Sequence, residues 1–208
     1  RHPSSRVANG QRKSLGLIPE RFALGMTDRG WICRNRIVWR KTNHLPSSVH
    51  DRLTPGWEHV FFFVKQRRYH FDLDQVRVPH RSRQAYSEKK SRASKRRSNH
   101  IRGHRLPPAT NEPGGCHPLG KNPGDVWDLP TSSTGFRHTA SYPERLCEIP
   151  VKAGCPPGGI VLDPFMGSGT TAVVAARFRR RFIGFELNPK FISMAEDRLE
   201  KLKGGGAT

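Results

Sequence analysis

The chain has 208 residues, enough for one domain of ordinary size, with 34% apolar residues and a formal net charge of +20. No apolar run approaches the roughly 20 residues that cross a bilayer, and no secretory signal is recognisable. We therefore expect a soluble, cytoplasmic protein with no membrane partner. Four cysteines without a C-x-x-C pair predict reduced thiols and no metal site.

The first part of the chain predicts one helix, two strands and a loop. The segment IPERFALGMTDRG (18–30) is typical of a helix, because Pro19 suits a first turn and the apolar residues share a face. Strands are predicted over 31–39 and 57–65. The second, WEHVFFFVK, is so continuously apolar that we expect burial on both faces rather than an edge position. Residues 41–56 predict a loop by their Pro, Ser and Asn content.

A strongly basic segment follows the second strand. Residues 81–105 hold ten Lys or Arg against one acid, Glu88, so they cannot form a core and predict a flexible insertion. The Pro- and Gly-rich residues 106–124 extend it. Clustered cations gain affinity for a polyanion by releasing its counterions, which favours a nucleic acid as partner. A solvated linker without a ligand is the alternative.

Regular structure resumes near residue 143, and the remaining pattern predicts an α/β fold. The predicted order is helix, strand, helix, strand, helix, over 143–154, 158–163, 169–179, 181–186 and 188–203. We expect Pro150 to break or kink the first helix, the strand 158–163 to be buried, and Asn188 to cap the last helix. Short joins between these elements imply right-handed crossovers and a parallel sheet.

A glycine turn joins the strand 158–163 to the next helix, in the stretch VLDPFMGSGTT (161–171). A phosphate-binding P-loop needs a Lys after its last glycine, but Thr170 and Thr171 follow Gly169, which excludes that motif. GSGTTA fits G-x-G-x-x-[GA], so a dinucleotide-binding oxidoreductase stays open. A turn that only packs helix on strand is the other alternative.

Asp163 separates the candidate ligands by charge. A carboxylate at the mouth of the turn would repel the pyrophosphate of a dinucleotide, whereas S-adenosylmethionine carries an ammonium and a sulfonium and no phosphate. Glu186 ends the next strand, where a carboxylate can accept hydrogen bonds from both ribose hydroxyls. We expect the glycines to let the backbone approach the cofactor where a Cβ would collide. The sequence therefore predicts S-adenosylmethionine as the cofactor.

These motifs resemble a known family. LDPFMGSGTT followed by GFELNP looks like the cofactor-binding motifs of amino-group DNA methyltransferases, which act on cytosine N4 or adenine N6. FRHTASYPERL (136–146) resembles the preceding segment of the permuted class, whose catalytic motif lies nearer the N terminus. The resemblance implies a Rossmann-like methyltransferase fold. The cofactor residues expected from the turn and the resemblance together are Asp163, Pro164, Phe165, Gly167, Ser168, Gly169, Thr170, Thr171, Glu186, Asn188, His138, Tyr142 and Pro143.

The resemblance also implies a domain order and double-stranded DNA as the partner. It divides the chain into part of a catalytic subdomain (1–79), a target-recognition insertion (80–122) and a cofactor subdomain (123–208). In the loop 41–56, Ser47, Ser48, Asp51 and Arg52 would line the DNA where the target base flips out, with ordinary surface as the alternative. Phosphate contacts would come from Arg92, Lys95, Arg96 and Arg97.

One family motif is missing. Members carry Asp, Ser or Asn followed by Pro-Pro-Tyr or Pro-Pro-Phe, which holds the target amine and stacks on the extruded base. HPSSR (2–6), LPPAT (106–110) and CPPGG (155–159) do not match it. We therefore expect a sheet that lacks a central strand, and a chain that cannot transfer a methyl group at a useful rate. A fragment of a longer reading frame is the expected explanation, and a degenerate non-catalytic paralogue is the alternative.

The predicted activity is that of a site-specific methyltransferase of the restriction-modification type. The acceptor is cytosine or adenine, with cytosine favoured, while the recognition sequence and a cognate nuclease cannot be inferred. A non-enzymatic nucleic-acid-binding module and an RNA substrate are the remaining alternatives.

Overall fold

The computed structural model of the protein describes residues 13–80, 117–131 and 142–204. Two sets of predictions concern residues outside these ranges. They are those for His138 and those for the basic residues 81–105, which include Arg92, Lys95, Arg96 and Arg97. The elements in chain order are α1 (Ile18–Asp28), β1 (Ile32–Lys41), β2 (Trp57–Val64), a 3-10 turn (Asp74–Val76), β3 (Val126–Leu129), α2 (Glu144–Gly154), β4 (Ile160–Asp163), α3 (Thr170–Arg177), β5 (Arg181–Gly184) and α4 (Pro189–Gly204).

One sheet has the strand order β2-β1-β3. β1 is antiparallel to β2 and parallel to β3. The inward-facing side chains Ile37, Trp39, Trp127 and Leu129 form a buried cluster, against which Leu146, Ile149 and other partly buried apolar residues pack. Each large side chain buried here contributes about 1.5–3 kcal/mol, and the Trp39 indole N–H is satisfied by the carbonyl of Leu129 at 3.0 Å. This cluster holds α2 on the sheet.

β3 was not predicted as a strand. Its four residues, VWDL, alternate between exposed and buried positions, as a half-buried strand should. The segment is short and follows a Pro- and Gly-rich stretch, so periodicity alone gave a weak signal. β3 lies in the predicted third region of the chain and pairs with β1 of the first.

The expectation that β2 would lie away from an edge is wrong, because β2 is an edge strand among the described residues. The expected burial on both faces is only partial, and Trp57 is 48% exposed. Aromatic side chains nevertheless contact the strand on each face. Phe22 of α1 contacts Phe61 and Phe63, with ring centroids 6.4 and 6.2 Å away. On the other face, Phe62 lies against two aromatic rings of the segment that follows β2.

The second sheet consists of the parallel strands β4 and β5. Residues 170–175 of α3 are buried. The expectation of a buried strand over 158–163 is wrong, since β4 begins at Ile160, and Ile160 and Leu162 are 50% and 60% exposed. Parallel strands are buried only where both faces are covered. Among the described residues, no strand joins the β2-β1-β3 sheet to the β4-β5 sheet. This arrangement agrees with the predicted α/β sheet that lacks a central strand.

α2 connects the two sheets. It is continuous from Glu144 to Gly154, so of the predicted break or kink at Pro150 the break is wrong, and the kink stays a prediction. The C-terminal end of α2 and the amino ends of β1 and β3 line a cavity of about 570 Å³. Tyr142, just before the helix, reaches the carboxyl end of β4. The carboxyl ends of β1, β3 and β4 therefore lie on the same side.

None of the helices in the described ranges could span a membrane.

Candidate functional site

The glycine turn connects the carboxyl end of β4 to the first residue of α3. Gly167 and Gly169 have φ angles of 54° and 81°, a left-handed conformation that favours glycine. The amide of Met166 donates to the carbonyl of Phe185 at 2.9 Å, and the amide of Phe185 donates to the carbonyl of Asp163 at 3.0 Å. The turn therefore lies against the carboxyl end of β5, as expected for a strand–turn–helix unit in a parallel sheet.

The Asp163 carboxylate is held by a small network of polar groups. The Thr171 hydroxyl donates to Oδ2 at 2.6 Å, and the Phe165 amide donates to Oδ1 at 2.9 Å. The Tyr142 hydroxyl lies 3.3 Å from the same Oδ2 and 2.8 Å from the Thr171 oxygen. These contacts fix the carboxylate at the mouth of the turn.

Two neighbours of this network have raised pKa values. Burial raises the pKa of the Tyr142 phenol well above its ordinary value, and the neighbouring Cys147 and Asp163 add to the rise, although the bond to Thr171 opposes it. Burial likewise raises the pKa of the Cys147 thiol to about 11. Both groups therefore stay protonated at neutral pH, and the phenol is available to donate a hydrogen bond toward the carboxylate.

β5 ends at Gly184, so Glu186 lies two residues beyond the strand rather than at its end, and it faces the turn. Its Oε2 accepts a hydrogen bond from the Gly167 amide at 2.9 Å, and its Oε1 accepts from the Leu187 and Asn188 amides at 2.9 and 2.8 Å. The carboxylate is therefore oriented by backbone groups of both the turn and the segment after β5. The turn thus has one fixed carboxylate on each side.

Gly169 has a packing role that the sequence did not predict. A Cβ at this position would lie 2.6 Å from the Cβ of Ala195, so the glycine allows α4 to approach the turn. For this glycine one close approach is internal to the protein, and the expectation that the glycines let the backbone approach a cofactor stays a prediction. Gly184 similarly makes room for Met166.

The other predicted cofactor residues surround this centre. Phe165 and Pro164 are exposed, Ser168 is half-buried, and the hydroxyl of the buried Thr170 accepts from Arg198. Pro143 occupies the N-cap position of α2 without a side-chain hydrogen bond, while the Asn188 side chain accepts from the Lys190 amide at 3.0 Å and so caps α4 as predicted.

The predicted DNA-contacting loop begins at the carboxyl end of β1, on the same side as the glycine turn. Ser48 and Arg52 are exposed, and Asp51 pairs with Lys13 at 2.6 Å. The amide of Val49 donates to the Ser47 hydroxyl at 3.3 Å. The loop is anchored beside β3, because the Asn43 side chain accepts from the amide and hydroxyl of Thr131 at 2.7 and 3.1 Å.

Sequence reasoning missed Arg198, which contacts the turn from α4 through the carbonyl of Ser168 at 2.9 Å. Its position depends on how α4 docks, which no local pattern encodes. Within the described ranges, no group of three or more His, Cys, Asp or Glu residues could hold a metal ion.

Comparison with solved structures supports the fold. The chain is similar to PvuII DNA methyltransferase (cytosine-N4-specific), with a TM-score of 0.61 and 19% identity over 92% of this chain and 64% of that one. It is also similar to M1.HpyAVI, solved as a complex with SAM, with a TM-score of 0.55 and 22% identity over 89% of this chain and 71% of that one. These likenesses show the Rossmann-like methyltransferase fold.

Curated relatives are similar over most of this chain. Type II methyltransferase M.SfiI of Streptomyces fimbriatus is 30% identical over 88% of this chain and 66% of its own length. M.SmaI of Serratia marcescens is 32% identical over 90% of this chain and 53% of its own length. M.Cfr9I of Citrobacter freundii is 34% identical over 90% of this chain and 51% of its own length. The chain thus spans about half to two thirds of the length of these relatives. A family model described as DNA methylase matches residues 6–197, and the chain belongs to this N6/N4 methyltransferase family.

Proposed function

We propose that the chain binds S-adenosylmethionine at the glycine turn and supplies the cofactor-binding part of a site-specific DNA methyltransferase. One observation carries the proposal: two oriented carboxylates, Asp163 and Glu186, lie on either side of a turn that offers no Lys to an anion. A cationic, phosphate-free nucleoside suits this arrangement, whereas a diphosphate would be repelled. The family membership and the similarity to type II methyltransferases support the same conclusion.

The proposal gives each group a role. Asp163 attracts the cationic end of the cofactor, with Thr171 and Tyr142 holding it in place, and Glu186 accepts from the ribose hydroxyls. The exposed ring of Phe165, 86% accessible, offers apolar surface beside the turn. The sulfonium is already a good leaving group, so the protein mainly orients donor and acceptor for in-line displacement by an exocyclic amine. Of the two acceptors we favour cytosine N4, which identification of the methylated base in modified DNA would test.

The direct test is a comparison of two ligands by isothermal titration calorimetry. S-adenosylhomocysteine is expected to bind this chain at micromolar concentration, on the order of −8 kcal/mol, and NAD is expected to give no signal. Each ligand contains adenosine, so adenine recognition alone cannot produce the difference. Binding of NAD in preference to the thioether would instead support the dinucleotide-binding alternative.

We also propose that the loop 41–56 contacts double-stranded DNA. It lies on the side of the molecule that carries the glycine turn, and it presents Ser48 and Arg52 to solvent. Leu45 and Leu53 are 86% and 92% exposed in the same loop. Apolar side chains of this kind can fill the gap that an extruded base leaves in the stack, so the leucines support a role at the target base.

Replacing Arg52 by Ala is expected to weaken binding to a mixed-sequence duplex about threefold to tenfold. The slope of log K against log salt concentration should become smaller by about one, the contribution of a single phosphate contact. Fluorescence anisotropy across a salt series measures both quantities. The matched control is Arg36→Ala, which removes an exposed arginine from β1 outside the loop. Equal losses in both variants would mean that only the overall charge of the chain matters.

A further inference from the structure

Arg198 connects three parts of the candidate site. Its Nη1 donates to the carbonyl of Ser168 at 2.9 Å and to the Thr170 hydroxyl at 3.1 Å. Its Nη2 donates to Oε1 of Glu144 at 2.9 Å. A single guanidinium on α4 therefore contacts the glycine turn, the first residue of α3 and the first turn of α2.

The backbone packing places Arg198 where it can act on the turn. Ala195 of α4 lies against Gly169 of the turn. A Cβ built on Gly169 would lie only 2.6 Å from the Cβ of Ala195. Arg198 follows three residues later and so lies on the same face of α4. The contact between Ala195 and Gly169 therefore fixes the distance from which the guanidinium reaches the turn. With 24% of its side chain exposed, Arg198 is largely desolvated there, which strengthens its hydrogen bonds.

Glu144 links Arg198 to the other side of the site. This residue follows Tyr142 by two positions, and the Tyr142 hydroxyl contacts the Asp163 carboxylate. Oε2 of Glu144 also pairs with Nη2 of Arg177 on α3 at 2.7 Å. Both arginines thus bind the same carboxylate, but among the contacts described only Arg198 also reaches the glycine turn.

We infer that Arg198 is a positioning residue of the cofactor site: it fixes the orientation of the Ser168–Gly169 peptide and the distance between the turn and the N terminus of α2. The inference rests on the proposed cofactor binding. The planar guanidinium offers several N–H donors in a fixed geometry, so it can hold a carbonyl, a hydroxyl and a carboxylate at once. A lysine ammonium provides a point charge at the end of a flexible stem and cannot reproduce this geometry.

The test compares Arg198→Met, Arg198→Lys and Arg177→Met in the full chain. We expect Arg198→Met to weaken S-adenosylhomocysteine binding by about tenfold or more, because a charge-assisted hydrogen bond to the turn is lost. Arg198→Lys should recover only a small part of this loss. Arg177→Met removes an ion pair to the same Glu144 and should change the affinity by less than about twofold. Thermal unfolding of all three variants separates loss of affinity from loss of stability.

Hydrogen exchange in the ligand-free protein gives a readout that does not require cofactor binding. The Gly169 amide donates to the carbonyl of Met166 at 3.0 Å and should exchange faster in Arg198→Met than in Arg177→Met. Equal exchange in these two variants, full affinity in Arg198→Lys, or an equal loss of affinity in Arg177→Met would each overturn the inference. A wild-type chain that binds no S-adenosylhomocysteine would instead refute the proposed function, and the exchange experiment would still report whether Arg198 orders the turn.

Discussion

Replacing Glu186 by Ala is expected to abolish measurable binding of S-adenosylhomocysteine, a loss of about 100-fold or more. Two contributions combine in this change. The two proposed hydrogen bonds from the ribose hydroxyls to a charged acceptor contribute about 1.5–3 kcal/mol each. In addition, the amides of Gly167, Leu187 and Asn188 lose the carboxylate that orients them. The turn should therefore lose both a ligand contact and part of its order.

Glu186→Gln is the matched variant for this prediction. The amide keeps the size of the side chain and one oxygen acceptor, but its NH2 group would face a backbone N–H at one of the two positions that the carboxylate oxygens now occupy. We expect an affinity loss of about tenfold to 100-fold. DNA binding should be unchanged in both variants, because Glu186 lies outside the loop and the basic segment. If both variants bind the cofactor like the wild type, the assignment of Glu186 to the ribose is wrong.

Asp163→Asn addresses the other side of the turn through charge. Asparagine can still accept from the Phe165 amide and interact with the Thr171 hydroxyl, so the local hydrogen bonds are largely retained. The negative charge is removed. We therefore expect this variant to lose affinity for a cationic ligand with little change in thermal stability. Calorimetry and thermal unfolding of the same sample provide the comparison.

The sequence predicted the local units of the site well, because their causes are local. The turn has positive φ angles at positions 167 and 169, which glycine adopts without steric cost, so two glycines at this spacing indicate such a turn. Asn188 caps α4 through its own side chain, a contact within two residues. The pairing of β4 with β5 follows from the short connections around α3. Each of these features is encoded within about 25 residues, a span that pattern reasoning handles well.

The errors arose where burial depends on distant parts of the chain. The apolar run of β2 indicated burial on both faces, but it does not reveal that α1 and the segment after β2 supply the covers while one edge stays unpaired. The apolar residues of β4 similarly could not show that Ile160 and Leu162 would remain half-exposed. Arg198 reaches the turn across 30 positions of sequence, through helix docking that no motif describes. Tertiary packing therefore decided the features that the sequence left open.

The chain on its own is expected to bind the cofactor and to transfer no methyl group. No Asp, Ser or Asn followed by Pro-Pro-Tyr or Pro-Pro-Phe occurs in its 208 residues. The chain therefore has no match to the tetrapeptide that would hold the target amine in line with the sulfonium. Because positioning is the main catalytic contribution in this reaction, we expect no methyl transfer without that tetrapeptide. Incubation with radiolabelled S-adenosylmethionine and mixed-sequence DNA should give incorporation indistinguishable from a sample without protein.

Among the described residues, one side of β4 is only partly covered. Ile160 and Leu162 of β4 border an open groove of about 360 Å³ that Cys147, Val151 and Asp163 also line. We propose that a strand carrying the tetrapeptide pairs with this side of β4, which would cover the exposed apolar side chains and bring the tetrapeptide close to Asp163. A fusion that adds a segment with Ser-Pro-Pro-Tyr should then restore incorporation, and the same fusion with Glu186→Ala should not. Methyl transfer by the chain alone that is lost in Glu186→Ala would contradict the proposal, because it would require an acceptor-binding group that the family motif does not describe.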